Sequence, residues 1–247
     1  MMQFLRELGA FALLCRAVLV DVLTHGINVR DLNRQIVRIG LLSLPIVMLT
    51  AVFTGMVMAI QTAYGLERFG VKNYVGNIVG LALSRELGPV LSALMVCGRV
   101  GAGIAAEIGS MAVTEQIDAM RCLGADPITK LVTPRILAAI LVLPGLVIFA
   151  DLIGVYGGLL MSVWELDISA HLFYRSLLST VGIRDIVEGL LKSAAFGGLV
   201  VALACYRGMG TTGGTEGVGR NTTATVVVGS IVIFVADFLL TKLLLVL

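Results

Sequence analysis

Residues 76–112 read GNIVGLALSRELGPVLSALMVCGRVGAGIAAEIGSMA. The stretch is apolar for most of its length, yet Arg85 and Glu86 stand side by side in it, Gly88-Pro89 comes directly after, and Arg99 and Glu107 come later. An α-helix rises about 1.5 Å per residue, and about 20 mainly apolar residues cross a bilayer. The stretch is too long for one straight crossing. Proline removes a helical donor and crowds the carbonyl four residues back, so a break, a tilt or a part-buried entry is expected near Gly88-Pro89. An ionised side chain at the bilayer centre costs about 2.5–3.5 kcal/mol on insertion scales. Arg85 and Glu86 are adjacent and point to different sides of a helix, so each needs a partner on another helix or a wet cavity; Lys192 and Asp237 are the candidates.

The rest of the chain has the same character. Of its 247 residues 58% are hydrophobic and only 14% charged, with a mean hydropathy of +1.00, whereas soluble domains carry about 25% charged residues. The bilayer is the natural solvent for such a chain, and a net charge of +2 gives no reason to expect nucleic acid. Cys15, Cys97, Cys122 and Cys205 have no metal-ligand spacing, and two histidines, His25 and His171, do not build a zinc site or a paired-histidine triad. The N-terminus is no secretory signal, because Arg6, Glu7, Arg16 and Asp21 interrupt it. Its apolar residues Phe4, Leu8, Phe11, Cys15, Val18 and Val22 recur at helical spacing, which suits a helix lying in the membrane interface across residues 1–38, the alternative being a helix packed on the protein itself.

Five stretches reach spanning length, at about 39–62, 76–112, 136–161, 186–206 and 222–246. The fold class is therefore all-α integral membrane, one domain over 39–247. Lys and Arg are twice as frequent on the side shared by the N-terminus, the 113–135 loop and the 207–220 loop, which puts the N-terminus in the cytoplasm. Segment 162–185 is expected to form a small helical cap on the outer side, with Trp164, Phe173 and Tyr174 at headgroup level. Within the 113–135 loop, Glu115, Gln116, Asp118, Ala119 and Arg121, with Ile117, Met120 and Leu123, read as a short amphipathic helix. Thr114 is placed to cap it, Gly124 to end it, and Pro127 and Pro134 to keep the helix from resuming. Such a helix is either a handle for a cytoplasmic partner or an ordinary solvated connector.

Charges at helical spacing suggest two pairs within single helices, Glu188 with Lys192 and Arg99 with Glu107. Gly98, Ala102, Ala105, Ala106 and Gly109, and Gly154, Gly157 and Gly158, let helices approach closely, inside one chain or between two. The GxGxxG string at Gly208, Gly210 and Gly213 comes after a membrane helix and lacks the lysine of a phosphate loop; it reads as a cytoplasmic turn.

Three strings carry a family resemblance. LSRELGPVLSALMVCGRVGAGIAAEIGSMAVTEQIDAMRCLGADPITKLVTPR (83–135) closely resembles the MlaE/YrbE family of ABC-transporter permeases, and EGVGRNTTATVV (216–227) and ADFLLTKLL (236–244) resemble it further on. The likeness runs over about 39–247. It implies a homodimeric permease of the bacterial inner membrane with a fold like that of ABCG-type exporters, moving phospholipid between that membrane and a periplasmic carrier. It implies as partners a second copy of the chain, a cytoplasmic MlaF-like ATPase, a MlaB-like STAS protein and a periplasmic MlaD-like MCE ring. ATP and magnesium would belong to the ATPase, with no cofactor and no catalytic residue in this chain. By the same resemblance, Arg85, Glu86, Lys192 and Asp237 border the lipid cavity, and Glu115, Gln116, Ala119, Met120 and Arg121 form the coupling helix that docks on the ATPase. Met120 stands where leucine is commoner. Val52, Met56, Val57, Leu91 and Met95 are expected to take the acyl chains. The rival reading is an ion-coupled transporter or channel that uses the intramembrane charges as a relay. An aspartyl protease built on Asp151 and Asp237 lacks the GxGD motif.

Overall fold

Every regular element among the described residues is helical, as a chain with no water for its backbone requires. The structure is a computed structural model and describes residues 2–24, 26 and 28–246, without the side chains of residues 2–5, 8 and 245. Phe4, Leu8 and His25 of the sequence reading lie outside that description. The order is α1 (Met2–Thr24), α2 (Val29–Gly40), α3 (Leu44–Glu67), α4 (Val75–Ala82), α5 (Gly88–Val96), α6 (Ala102–Val113), α7 (Gln116–Cys122), α8 (Thr133–Trp164), α9 (Ala170–Thr180), α10 (Ile183–Met209) and α11 (Gly214–Val246). Among the described residues, five segments are long and apolar enough to cross a membrane: Val29–Glu67, Lys72–Val113, Ile128–Trp164, Ile183–Met209 and Gly214–Leu244.

The second segment does not break at Gly88-Pro89. Two π-helical turns, Leu83–Leu87 and Cys97–Gly101, join α4, α5 and α6 into one run. The wider turn closes on the Gly88 amide, which donates to the Leu83 carbonyl, so helical structure continues through Pro89. Such turns often mark functional positions.

Small residues set how closely the helices pack. A Cβ on Gly55 would run into the Gly154 carbonyl, and one on Gly157 into the Val52 carbonyl, so α3 and α8 touch backbone to backbone. Gly197 lies in the same way against Ala139, joining α10 to α8. One core, with Ile108, Val132, Ala139 and Val201, binds α6, α8 and α10 at the α7 end, and another, with Ala59, Val79, Leu83 and Phe173, fills the α9 end.

Several local expectations change. Leu14, Val18 and Asp21 are buried against the bundle, and Phe11 meets Tyr206 edge-to-face, so the predicted stripe of α1 faces protein. The outward face shows Leu13, Val20 and Leu23. α9 forms as expected and leaves Trp164 and Tyr174 exposed, but Phe173 is fully buried, since α9 packs on α4 where Gly76 and Gly80 leave room. Pro127 and Pro134 do not hold off the next helix: a π turn, Ile128–Val132, begins directly after Pro127 and runs into α8, with Pro134 in the first turn of α8. Helix α11 already begins at Gly214, so the Gly-rich turn is confined to a few residues around Gly213, whose φ is +87°.

Candidate functional site

The charged cluster arises from Pro89. Its ring nitrogen has no hydrogen to donate, and the ring crowds the carbonyl of Arg85, four residues back. That carbonyl instead accepts from Lys192 Nζ at 3.0 Å. The same ammonium donates to Glu86 Oε1 at 2.8 Å and lies 3.2 Å from Asp237 Oδ1. The Thr241 hydroxyl donates to Glu86 Oε1 at 3.4 Å. Lys192 is 2% exposed, and a buried cation is tolerated only when paired and hydrogen-bonded. Gly189 allows this contact: a Cβ there would collide with the Ser84 carbonyl, so its absence lets α10 lie directly on the π turn, one helical turn from Lys192.

Arg85 points elsewhere. Its Nε lies 2.8 Å from Asp185 Oδ1 and its Nη2 donates to Glu188 Oε2 at 3.2 Å. Glu188 also accepts from Arg184 Nε at 2.7 Å. The expected Glu188–Lys192 pair is therefore absent. Lys192 is drawn across to the other helices by two carboxylates and a freed carbonyl, and Glu188 is held by two guanidiniums. Asp185 and Glu188 are site residues that sequence spacing assigned to no such role. Asp185 also accepts from the Gly182 amide at 2.8 Å, capping α10.

The cavity beside these charges holds about 100 Å³ and is lined by Arg85, Glu86, Glu188, Lys192, Thr241 and Leu244. Val52, Met56, Leu91 and Met95 are not in it. Val52 packs on α8, Met95 against Val47, Ala51 and Ala150, and Leu91 lines a separate crevice with Thr50 and Thr54. One chain thus assembles the four predicted polar residues and leaves the predicted apolar wall elsewhere. Its broadest apolar surfaces are α3 and α11, the least buried of the five segments.

At the opposite end, α7 stands between α6 and α8. Thr114 does not cap it; its hydroxyl donates back to the Ser110 carbonyl at 2.8 Å and ends α6. Glu115 makes the turn with φ +60°, a left-handed conformation that is uncommon for a side-chain-bearing residue. Ile117 is buried in the bundle and Met120 packs against it, while Glu115, Gln116, Asp118, Ala119 and Arg121 are exposed. Asp118 accepts from Arg121 at 2.9 Å. Gly124, at φ +78°, closes the helix as expected. The helix is anchored by one face and presents the other.

Residues 32–243 match the family model described as Permease MlaE, a range that holds both the charged cluster and α7. This chain belongs to the MlaE permease family. A probable ABC transporter permease protein of Rickettsia typhi is 41% identical to it over 98% of this chain and 93% of the relative. One from Synechocystis is 40% identical, over 96% and 90%. The chloroplastic protein TRIGALACTOSYLDIACYLGLYCEROL 1 of Arabidopsis thaliana is 39% identical, over 91% of this chain and 64% of the relative.

As a MlaE-family permease with five membrane-length helical segments, the chain is the multi-pass membrane subunit of an ABC transporter, and an ABC permease implies a partner ATPase.

Proposed function

We propose that this permease moves phospholipid between the inner membrane and a periplasmic carrier of the MCE type, driven by ATP hydrolysis in a separate cytoplasmic subunit. The observation that carries this reading is the buried Lys192 ammonium, held between Glu86 and Asp237 at the edge of wide apolar helix faces. A lipid site combines an apolar wall with a few fixed polar groups. Arg85, Glu86, Lys192 and Asp237 offer charges of both signs, which suits a zwitterionic headgroup. The name of the Arabidopsis relative contains a glycolipid, which supports a lipid cargo. About 100 Å³ is far too little for acyl chains, so a second copy of the chain completes the cavity across the exposed faces of α3 and α11. The outward leucines and valine of α1 rest in the membrane interface, with the N-terminus in the cytoplasm.

Helix α7 is the docking element for an MlaF-like ATPase, and ATP and magnesium stay with that partner. An MlaB-like STAS protein and an MlaD-like MCE hexamer complete the assembly. Three results test this. Native-membrane isolation should yield a stoichiometric ATPase; an ion-coupled transporter would move its cargo without one. Glu115→Lys should lower lipid-stimulated ATP hydrolysis at least fivefold while membrane insertion is unchanged, because it reverses the charge of an exposed residue at the mouth of the docking helix. Unchanged stimulation would place the docking site elsewhere. Arg85→Ala with Glu86→Ala should reduce the phospholipid that co-purifies, measured by mass spectrometry.

A further inference from the structure

The pair Arg99–Glu107 expected from helical spacing does not form. Glu107 instead bridges two other guanidiniums, Arg38 of α2 at 2.7 Å and Arg135 of α8 at 2.8 Å. Arg99, on the π turn Cys97–Gly101, donates to the Ser43 hydroxyl at 3.1 Å, and among the described residues no carboxylate lies in ion-pair range of it. Arg38 and Arg135 therefore share one carboxylate and Arg99 has none among the described residues, so three guanidiniums and one carboxylate leave a net excess of two positive charges inside membrane-length segments. Arg38 and Arg99 line one cavity of about 250 Å³ between α2 and α6, together with Gln35 and Gly103. A Cβ added at Gly103 meets open space, so nothing in the chain fills this cavity from that side.

Two like charges facing one gap in a low-dielectric setting repel unless an anion lies between them. Arginine matches phosphate oxygens with a planar fork of donors and is the preferred residue for that task. An ionisable residue inside a membrane segment is by default a functional position. The surroundings define what carries the phosphate. From the cavity rim, Leu42, just before α3, and Ile46, Leu49 and Phe53 on α3 follow at spacings of four, three and four, all exposed. Ile39 next to Arg38, and Val100 and Ile104 beside Arg99, pack into the same core as Ile117 and Met120 of α7. The arginines thus lie toward the α7 end, and the stripe on α3 leads away from it.

We infer that Arg38 and Arg99 form a binding site for the phosphate of an anionic membrane lipid, whose acyl chain lies along Leu42, Ile46 and Leu49. The site is separate from the Lys192 cluster, where three basic side chains (Arg85, Arg184, Lys192) face four acidic ones (Glu86, Asp185, Glu188, Asp237) and no positive charge is left over. It rests on the lipid-permease reading and adds to it a place where lipid from the α7-side leaflet is held before transfer.

The test is photo-cross-linking of the full chain in detergent with phosphatidylglycerol carrying a diazirine in one acyl chain, followed by peptide mapping. Adducts are expected on residues 42–53. Arg99→Gln should lower that yield at least fivefold. So should Gly103→Leu, which fills the cavity while leaving every charge in place. Adducts near Arg85 should change less than twofold in either variant. A diacylglycerol probe with the same tails should label residues 42–53 at least fivefold less than phosphatidylglycerol. Unchanged labelling in a Gly103→Leu protein that melts like the wild type overturns the site, as does equal labelling by diacylglycerol. Protection by millimolar inorganic phosphate as complete as that by unlabelled lipid assigns the arginines to a free anion and overturns the lipid assignment. Loss of labelling near Arg85 with labelling at 42–53 intact would count against the central cavity instead, so the two readings fail separately.

Discussion

Lys192→Met is expected to destabilise the protein by about 3–5 kcal/mol, the usual effect of removing one partner from a buried ion pair, and to abolish lipid transport. Methionine fills much of the same space, so the loss is electrostatic. Glu86 Oε1 keeps only the long contact from Thr241, and Asp237 and the Arg85 carbonyl lose the ammonium that each now faces. For a chain of this size the change corresponds to a fall in Tm of about 10 °C, measurable as loss of the monodisperse peak after heating in detergent. A triple variant separates stability from function. Lys192→Met with Glu86→Gln and Asp237→Asn removes the orphaned charges together with the cation and should recover most of the Tm, because replacing a whole buried ionic group by neutral side chains is often tolerated. Transport should stay absent. A single variant that melts with the wild type would show that the ammonium is hydrated and the cluster is not a structural element.

The five membrane segments were legible because length and apolarity alone define them. So was the grouping of Glu86, Lys192 and Asp237, since intramembrane charges of opposite sign must meet. What spacing misjudged was the pairing. Glu188 and Lys192 are four apart on one helix, which favours a pair by only about 0.2–0.5 kcal/mol. Partners on neighbouring helices outweigh that: Arg85 takes Glu188, and Glu86 takes Lys192. Arg99 and Glu107 fail for the same reason. The role of Pro89 was half visible. A proline in a helix announces a freed carbonyl, but whether the chain bends or a distant ammonium fills the vacancy depends on α10, more than a hundred residues away. The two π turns have no sequence signature of their own. The α1 stripe was read correctly as a stripe; a helix with apolar residues on both faces does not say which one meets protein. Glu115 was placed in the docking helix from its string, yet its left-handed backbone has no counterpart in residue type, since glycine or asparagine is the usual occupant.

Gly189→Ala is expected to impair transport at least tenfold while adding a single methyl group. Alanine favours a helix over glycine by about 1 kcal/mol, so on propensity alone the change should stabilise α10. The added carbon, however, has no room: it falls on the Ser84 carbonyl and close to Pro89 Cγ, and a backbone carbonyl within a π turn cannot rotate away as a side chain could. Helix α10 must move off the turn. Lys192, three residues on, moves with it and loses its contacts to the Arg85 carbonyl and Glu86 together. Overpacking of this kind costs about 1–3 kcal/mol, so a folded but inactive protein is the expected outcome, with a smaller loss of Tm than Lys192→Met. Gly65→Ala is the matching control. Gly65 lies within α3, and a Cβ there meets nothing within 4 Å, so the propensity gain should appear as an equal or slightly higher Tm with transport intact. Wild-type transport in Gly189→Ala would mean that the contact between α10 and the π turn does not hold Lys192 in place, and the geometry of the charged cluster would then owe nothing to Gly189.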